Sequence, residues 1–471
     1  MKYFRRLFFS FGLLAITFVT GCATYYQTTL DFQENFVKGE IEEANKVLDK
    51  NKKAATKDKN KLLYNLKKGV VLQMLGQYEE SNKFLEEAYI FTQDYRQSNL
   101  NKVASLVTNP TTKPYTGEDH ELVLIHYYKA LNYLRMNQYD EALVECRRIN
   151  NRLNQLNDRY ENRKNRYKQD AFAMNLMGIV YEASGDVNNA FIAYRNAYEA
   201  YTEDYKKHFN TDVPTQLKED LLRTAYLNGF TEELERYEKK FATEYEYQEK
   251  EAGELVFFWH NGLGPVKDEW SLNFFIVKGQ GGFVIFANEE LGLSFPFPLP
   301  AMGEGTGGLG DLKFISVAFP KYVERKPYNQ SAELVSGNKT YQLELAENIN
   351  KIAFSTLEDR MIREFSNSLL RLALKQTAEE QTRKLNQNLG ALLSVVNAVS
   401  EKADTRNWQT LPYSISYARV PLHKGANSIK LKTRTPRKSE NTEKVFEFQA
   451  EKGETIFHSF HSLESVPVSL N

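Results

Sequence analysis

Gly178-Ile-Val-Tyr181, followed by Gly185-Asp-Val187-Asn-Asn-Ala190, is the stretch that decides the fold of this 471-residue chain. Gly185 supplies the positive φ that ends a helix, and Ala190, five positions on, lets the next helix pack closely against the one before. The order of turn residue, apolar residue and small residue recurs as Gly39-Glu-Ile41-Glu-Glu-Ala44, Gly76-Gln-Tyr78-Glu-Glu-Ser81, Asn137-Gln-Tyr139-Asp-Glu-Ala142 and Gly229-Phe-Thr231-Glu-Glu-Leu234. Upstream, Ala130-Leu-Asn-Tyr133 repeats the small and aromatic pair of Gly178 and Tyr181; downstream, Ala88 and Ala197 supply a later small position.

These units resemble the tetratricopeptide (TPR) repeat, most closely at Gly76, Asn137 and Gly185. Their turns recur at intervals of 37 to 61 positions, longer than the standard period of about 34, so the repeats are irregular. The insertion Asn109-Pro110-Thr-Thr-Lys-Pro114-Tyr-Thr-Gly117 reads as a loop, and Asn150 to Lys168 as a highly charged helix continuation. Residues 31–247 are therefore expected to form a TPR-like α-solenoid, whose concave face commonly holds a peptide or another protein.

Working outward to the amino terminus, Lys2, Arg5 and Arg6 precede an apolar run, Leu7 to Val19, that closes on Val19-Thr20-Gly21-Cys22. About 13 apolar residues fall short of the roughly 20 that span a bilayer, so a cleaved signal is expected rather than a membrane-spanning helix. A small pair before a cysteine is what lipoprotein signal peptidase requires. Residues 1–21 read as a lipoprotein signal peptide, Cys22 as the lipidated (palmitate-bearing) amino terminus, and 22–30 as a linker. Several acyl chains at roughly 0.8 kcal/mol per buried CH₂ would hold the protein on a membrane. Ala23 stands where Asp would argue for inner-membrane retention, so the expected location is the outer membrane, facing the periplasm. Removing Lys2, Arg5 and Arg6 leaves 58 of the 61 basic residues against 61 acidic ones, which offers no electrostatic case for nucleic acid. Cys146 is the only other cysteine, which excludes an internal disulfide.

Beyond Ala252-Gly253 the period changes. Short apolar runs separated by Gly, Pro and Asn read as strands: Leu255 to Trp259, Leu272 to Val277, Phe283 to Ala287, Leu291 to Leu299 and Leu312 to Phe319. A hairpin is expected at Asn338-Lys339, a long helical segment from about Leu345 to Lys384, and strands again in Leu411 to Lys432 and Lys444 to Phe460. The expected class is multidomain, α plus α+β: the solenoid, then a β-rich α/β domain with a long helix (252–403), then a small β-sandwich-like unit (404–471).

Asn261-Gly-Leu-Gly-Pro-Val-Lys267, Ala403-Asp-Thr-Arg-Asn-Trp408-Gln-Thr-Leu-Pro412, Ile415-Ser-Tyr-Ala-Arg419 and Leu422-His-Lys-Gly425, together with the lipobox, carry a second resemblance. In these the chain resembles a family of bacterial TPR-containing outer-membrane lipoproteins that has no agreed biochemical activity. The resemblance spans most of the mature chain; it implies the architecture and location given above and no catalytic residues.

Motifs for chemistry are weak. Gly303-Glu-Gly305-Thr-Gly-Gly308 matches GxGxxG, but Phe295-Pro-Phe-Pro-Leu-Pro300 precedes it and a strand follows, where a dinucleotide fold needs a helix. His458 and His461 are three apart in a strand and so point to opposite faces. His120, His126, His208, His260 and His423 show no ligand spacing, and no GxSxG is present. No metal or cofactor is expected. Leu389 to Val399 is apolar on nearly all sides, a buried helix or an element meeting a bilayer or partner. Asp404, Arg406 and Trp408 are expected to brace a helix-to-strand junction, and they are also candidate partner contacts, because Trp and Arg dominate interface hot spots. The expected function is a non-catalytic, membrane-anchored scaffold or assembly factor that binds envelope proteins. Its rival is a cell-wall or polysaccharide hydrolase, which would show a cleft with two suitably spaced carboxylates or a nucleophile and base.

Overall fold

The computed structural model describes residues 25–57, 59–98, 110–160, 165–247, 252–278, 283–298, 314–385 and 402–468. The signal with Cys22, the glycine-rich Gly303 to Gly308 and the apolar run Leu389 to Val399 lie outside the described residues.

The amino-terminal part is a TPR-like stack of helix pairs. They are α1 (Leu30–Val37) with α2 (Ile41–Lys50), α3 (Lys61–Met74) with α4 (Tyr78–Ser98), α5 (Asp119–Arg135) with α6 (Tyr139–Asn157), α7 (Ala171–Ala183) with α8 (Val187–Ala200), and α9 (Thr215–Leu227) with α10 (Thr231–Phe241). Gly39, Gly76, Asn137, Gly185 and Gly229 all have positive φ, between 58° and 85°. Each turn also closes with the same long backbone bond, for example Asp186 N to Tyr181 O at 2.8 Å and Phe230 N to Ala225 O at 3.0 Å. Ala44, Ser81, Ala142 and Ala190 are completely buried. Gly69, seven positions before Gly76 as Gly178 is before Gly185, belongs to the same pattern: a Cβ on either would come within 2.6 Å of Leu85 or 2.4 Å of Tyr194.

One helix expectation is corrected. The charged stretch Asn150 to Lys168 continues α6 only to Asn157, where the helix stops. Asn165 Nδ2 donates to Asn157 Oδ1 (2.6 Å) and Asn157 Nδ2 to Lys168 O (2.9 Å), so side-chain amides bind the turning backbone in place of a further helical turn. Asp170 then caps α7 by accepting from Ala173 N at 2.7 Å.

Three four-stranded sheets follow. The first has the order β12 (Thr455–Ser462), β1 (Gly253–Asn261), β9 (Ser414–Leu422), β8 (Glu344–Glu347), with β12 parallel to β1. The second has the order β11 (Glu443–Ala450), β10 (Gly425–Arg434), β6 (Ser331–Ser336), β7 (Lys339–Gln342). The third is an antiparallel meander, β4 (Leu293–Pro298), β3 (Phe283–Asn288), β2 (Val266–Lys278), β5 (Phe314–Val323). Strands from before residue 403 and after residue 404 thus share both sheets of the sandwich. The long helix α11 (Ile349–Leu385) starts four residues later than Leu345, because Leu345 and Glu347 pair with β9 at the sheet edge.

Alternation along β1 explains the layers. Leu255, Phe257 and Trp259 face the second sheet and meet Leu334, Val420, Ile429 and Leu431. Val256 and Phe258 face the other way and join one continuous core with the helix pairs. A strand buried on both faces has to read as an unbroken apolar run, as Leu255 to Trp259 does. The third sheet packs on α11 instead, with the Phe319 and Phe365 rings 4.4 Å apart.

Candidate interaction sites

The Asp404, Arg406, Trp408 group lies where the segment before β9 crosses the helix pairs. Arg406 Nη2 pairs with Asp404 at 2.7 Å, and Arg406 Nη1 donates to the carbonyls of Lys59 (2.7 Å) and Lys113 (3.0 Å). Trp408, 1% exposed, donates its indole N–H to Thr410 Oγ1 (2.8 Å) and its backbone N–H to Glu121 Oε1 (2.5 Å), and lies 5.5 Å from the Tyr128 ring. Burial, with Glu118 nearby, pushes the Glu121 carboxyl up to about 7. Of the three expected partner contacts, Arg406 and Trp408 are buried and bonded within the chain, while Asp404 is partly exposed. Arg406 and Trp408 brace the carboxy-terminal half against α3 and α5, a wider role than joining one helix to one strand.

The surface carried by α5 and α7, the first helices of their pairs, is also filled from within. Tyr127 OH lies 3.0 Å from His260 Nε2, Phe172 packs on Phe258 and Tyr417, and Arg135 Nη1 donates to Phe457 O at 2.7 Å. Tyr201 OH donates to Ala346 O at 2.7 Å. The sheet therefore occupies the face on which an inner-surface ligand was expected. His260 stacks on His461 at 4.2 Å, whereas His458 lies on the other side of β12 among Phe257, Phe446 and Phe448. Among the described residues, no group of three or more His, Cys, Asp or Glu is placed to hold a metal ion.

A buried ion network that no local motif announces joins the two halves at their far end. Arg419 contacts Glu182 (2.8 Å), Asp220 (3.1 Å) and Glu254 (2.5 Å), while Arg223 contacts Glu182 (2.8 Å) and Asp220 (2.5 Å). Burial works against both guanidinium charges, but the carboxylates around them raise their pKa values overall. Above the network lies a pocket of about 850 Å³, whose wall includes Glu219, Glu254, Glu344 and Arg419. Burial, then Asp220, raises the Glu219 carboxyl. Glu254 is tied to Arg419, and Glu344 accepts from Gln216 N at 3.0 Å.

On the helical half, a groove of about 600 Å³ runs between α4 and α6 over the end of α5. Tyr133, Met136 and Val144 give it an apolar floor, and Glu79, Lys83 and Arg148 lie along its edge. Val144 and Ile192 are exposed by 42% and 38%, each two positions after the small residue of its repeat. Lys129, buried beneath the groove, is held by Glu86 and by Glu145 (2.7 Å). Burial opposes the Glu145 charge, yet the His126 hydrogen bond and Lys129 hold its pKa below the usual value.

No protein-family model matches the chain, and no curated protein matches it in sequence. Among solved structures it is similar to MamA from Desulfovibrio magneticus RS-1 (16% identity, 45% of this chain and 87% of that one, TM-score 0.28). It is also similar to the nearly identical TPR-like repeats of a Podosopora anserina kinesin light chain (13% identity, 45% and 90%, TM-score 0.30) and to the apo form of RapI (14% identity, 50% and 58%, TM-score 0.35). Scores of this size are too low to carry a function from these proteins to this chain.

Proposed function

We propose that this protein is an outer-membrane lipoprotein, anchored through Cys22 and facing the periplasm, that serves as a non-catalytic scaffold for envelope proteins. The observation that carries the scaffold reading is the groove between α4 and α6. The first-helix face at α5 and α7 is filled by the chain's own sheet, so these pairs offer a partner their second helices, where Val144 and Ile192 recur at one repeat position in the open. Protein-binding clefts combine such an apolar floor with a polar rim. The hydrolase alternative draws less support: of the carboxylates lining the large pocket, Glu254 and Glu344 already hold Arg419 and the Gln216 N–H. No helix among the described residues is long and apolar enough to cross a membrane, so anchoring rests on the lipobox.

A photo-crosslinking residue at Val144 of the full-length protein in cells should capture one envelope protein reproducibly. The same residue at Lys424, exposed on the distant β10 side, should not. Equal capture at both positions, or none at Val144, refutes the groove as the partner site. Anchoring is tested separately: Cys22→Ser should leave the precursor unprocessed, and a soluble, normally cleaved Cys22→Ser product at full yield would overturn the lipobox reading.

A further inference from the structure

The segment that begins at Tyr25 lies against α3 and, with the end of α2, lines a half-open pocket of about 590 Å³. Tyr25, Phe32, Asn60, Tyr64 and Lys67 are among its lining residues, with Asp31 as the one carboxylate, exposed to solvent. Lys67 is 2% exposed. Its neighbour Lys68 is held by Asp49 and Asn45, both at 2.6 Å. Lys67 has no such carboxylate among the described residues; its Nζ lies over the rings of Tyr25 (4.6 Å) and Phe32 (4.9 Å). Two further polar atoms of the same wall, the Tyr64 hydroxyl and Asn60 Oδ1, are buried without a hydrogen-bond partner. Arg325, whose charge bears on Lys67, donates to the carbonyls of Gly264 (2.6 Å) and Gln409 (2.5 Å) and leaves Nη1 unpartnered. Two buried cations thus lack a paired carboxylate among the described residues, an arrangement that is costly unless an anion completes it.

We propose that this cavity binds a phosphate group, with Lys67 as its counter-charge and the Tyr64 hydroxyl and Asn60 amide as further donors. A phosphate offers acceptors to several donors at once, and the Asn60 amide can donate after a half-turn that exchanges its oxygen and nitrogen. The source of the phosphate rests on the lipoprotein reading. Cys22 is three residues before Tyr25, and at roughly 3.6 Å per residue a lipid on Cys22 keeps the cavity wall within about 11 Å of its own attachment point. A phospholipid headgroup in the membrane that holds the protein is therefore the ligand at hand. Burial, assisted by Arg325, pushes the Lys67 amine down to about 7, so binding just above neutral pH draws a proton onto Lys67.

The test uses the full-length protein in maltoside micelles, which contain no phosphate. Soluble glycerol phosphate is titrated by calorimetry at pH 7.5 in two buffers of different ionisation enthalpy; in parallel, acetylation of Lys67 by acetic anhydride is followed by mass spectrometry with no ligand, with glycerol phosphate, and with phosphatidylglycerol in the micelles. We expect saturable binding with proton uptake, and protection of Lys67 by phosphatidylglycerol. Lys67→Met should weaken glycerol phosphate binding about tenfold or more while leaving the urea midpoint unchanged or higher. Tyr64→Phe, which keeps the ring, should weaken it severalfold. Protection by glycerol phosphate alone upholds the phosphate site and overturns the lipid source. Absence of protection by either ligand, or unchanged affinity in both variants, overturns the site. The amino-terminal mass of the same sample reports lipidation of Cys22, so an unlipidated chain that binds glycerol phosphate refutes the anchor and upholds the cavity.

Discussion

His461→Phe should make the protein less sensitive to acid. His461 is half-buried, stacked 4.2 Å from His260, and its Nε2 is shielded from solvent with no hydrogen-bond partner. Burial pushes its imidazole down to about 3 from an ordinary 6.5. Above pH 6.5 the ring is neutral whether the chain is folded or not, and it contributes nothing to pH dependence. Below 6.5 the unfolded chain takes up a proton that the folded one refuses, so stability falls as pH falls, until the folded pKa near 3 is reached. The slope from one such group approaches about 1.4 kcal/mol per pH unit, and the loss by pH 5.5 is also about 1.4 kcal/mol. Phenylalanine keeps the ring and removes this proton. Other buried groups shift the pH profile as well, including His120, His458 and, in the opposite sense, Glu121 and Glu347, but they are common to both proteins and cancel in the comparison. Urea unfolding of wild type and variant should therefore be measured from pH 7.5 to 5.0. The two stabilities should run parallel above pH 7 and diverge below 6.5, with the variant gaining about 1 to 1.5 kcal/mol by pH 5.5. Curves that stay parallel down to pH 5 would refute the assignment of His461 as a ring held neutral in the folded chain.

Trp408→Ala should cost about 3–5 kcal/mol in urea unfolding and lower the folded yield, since its ring is buried against Tyr128; native stability with loss of partner crosslinks would return this residue to the binding surface. Ala190→Leu should overpack the α7–α8 pair by roughly 1–3 kcal/mol, because the site is completely closed, and an unchanged melting temperature would contradict that packing. Arg419→Met should cost about 3–5 kcal/mol near pH 8 by leaving Glu182, Asp220 and Glu254 under-compensated. A cost well under about 1 kcal/mol would mean that Arg419 does not compensate these carboxylates.

The sequence by itself determined what is local. A glycine or asparagine at positive φ, and a small residue five positions later, are choices whose energies depend on atoms within a turn or two of helix. That is why the weaker repeat at Gly39 folds like the stronger ones, while at Gly229, where Leu234 stands in the small position, the positive φ and the same backbone bond still close the turn. The unbroken run from Leu255 to Trp259 likewise announced a strand, and the structure buries both of its faces. The end of α6 was harder to read, because its stop depends on Asn165 and Lys168 returning to Asn157. Only the tertiary structure decided what covers the helix pairs. The face that looked ready for a foreign peptide receives β1, β9 and β12, and the junction group at Asp404, Arg406 and Trp408 turned inward with them. Arg419 meets Glu182 across 237 positions of sequence, and β12 lies parallel to β1 across about 200. Such pairings follow from closure of the whole chain, in which buried area and charge compensation are settled between distant segments, and no local pattern of residues encodes which segment will arrive.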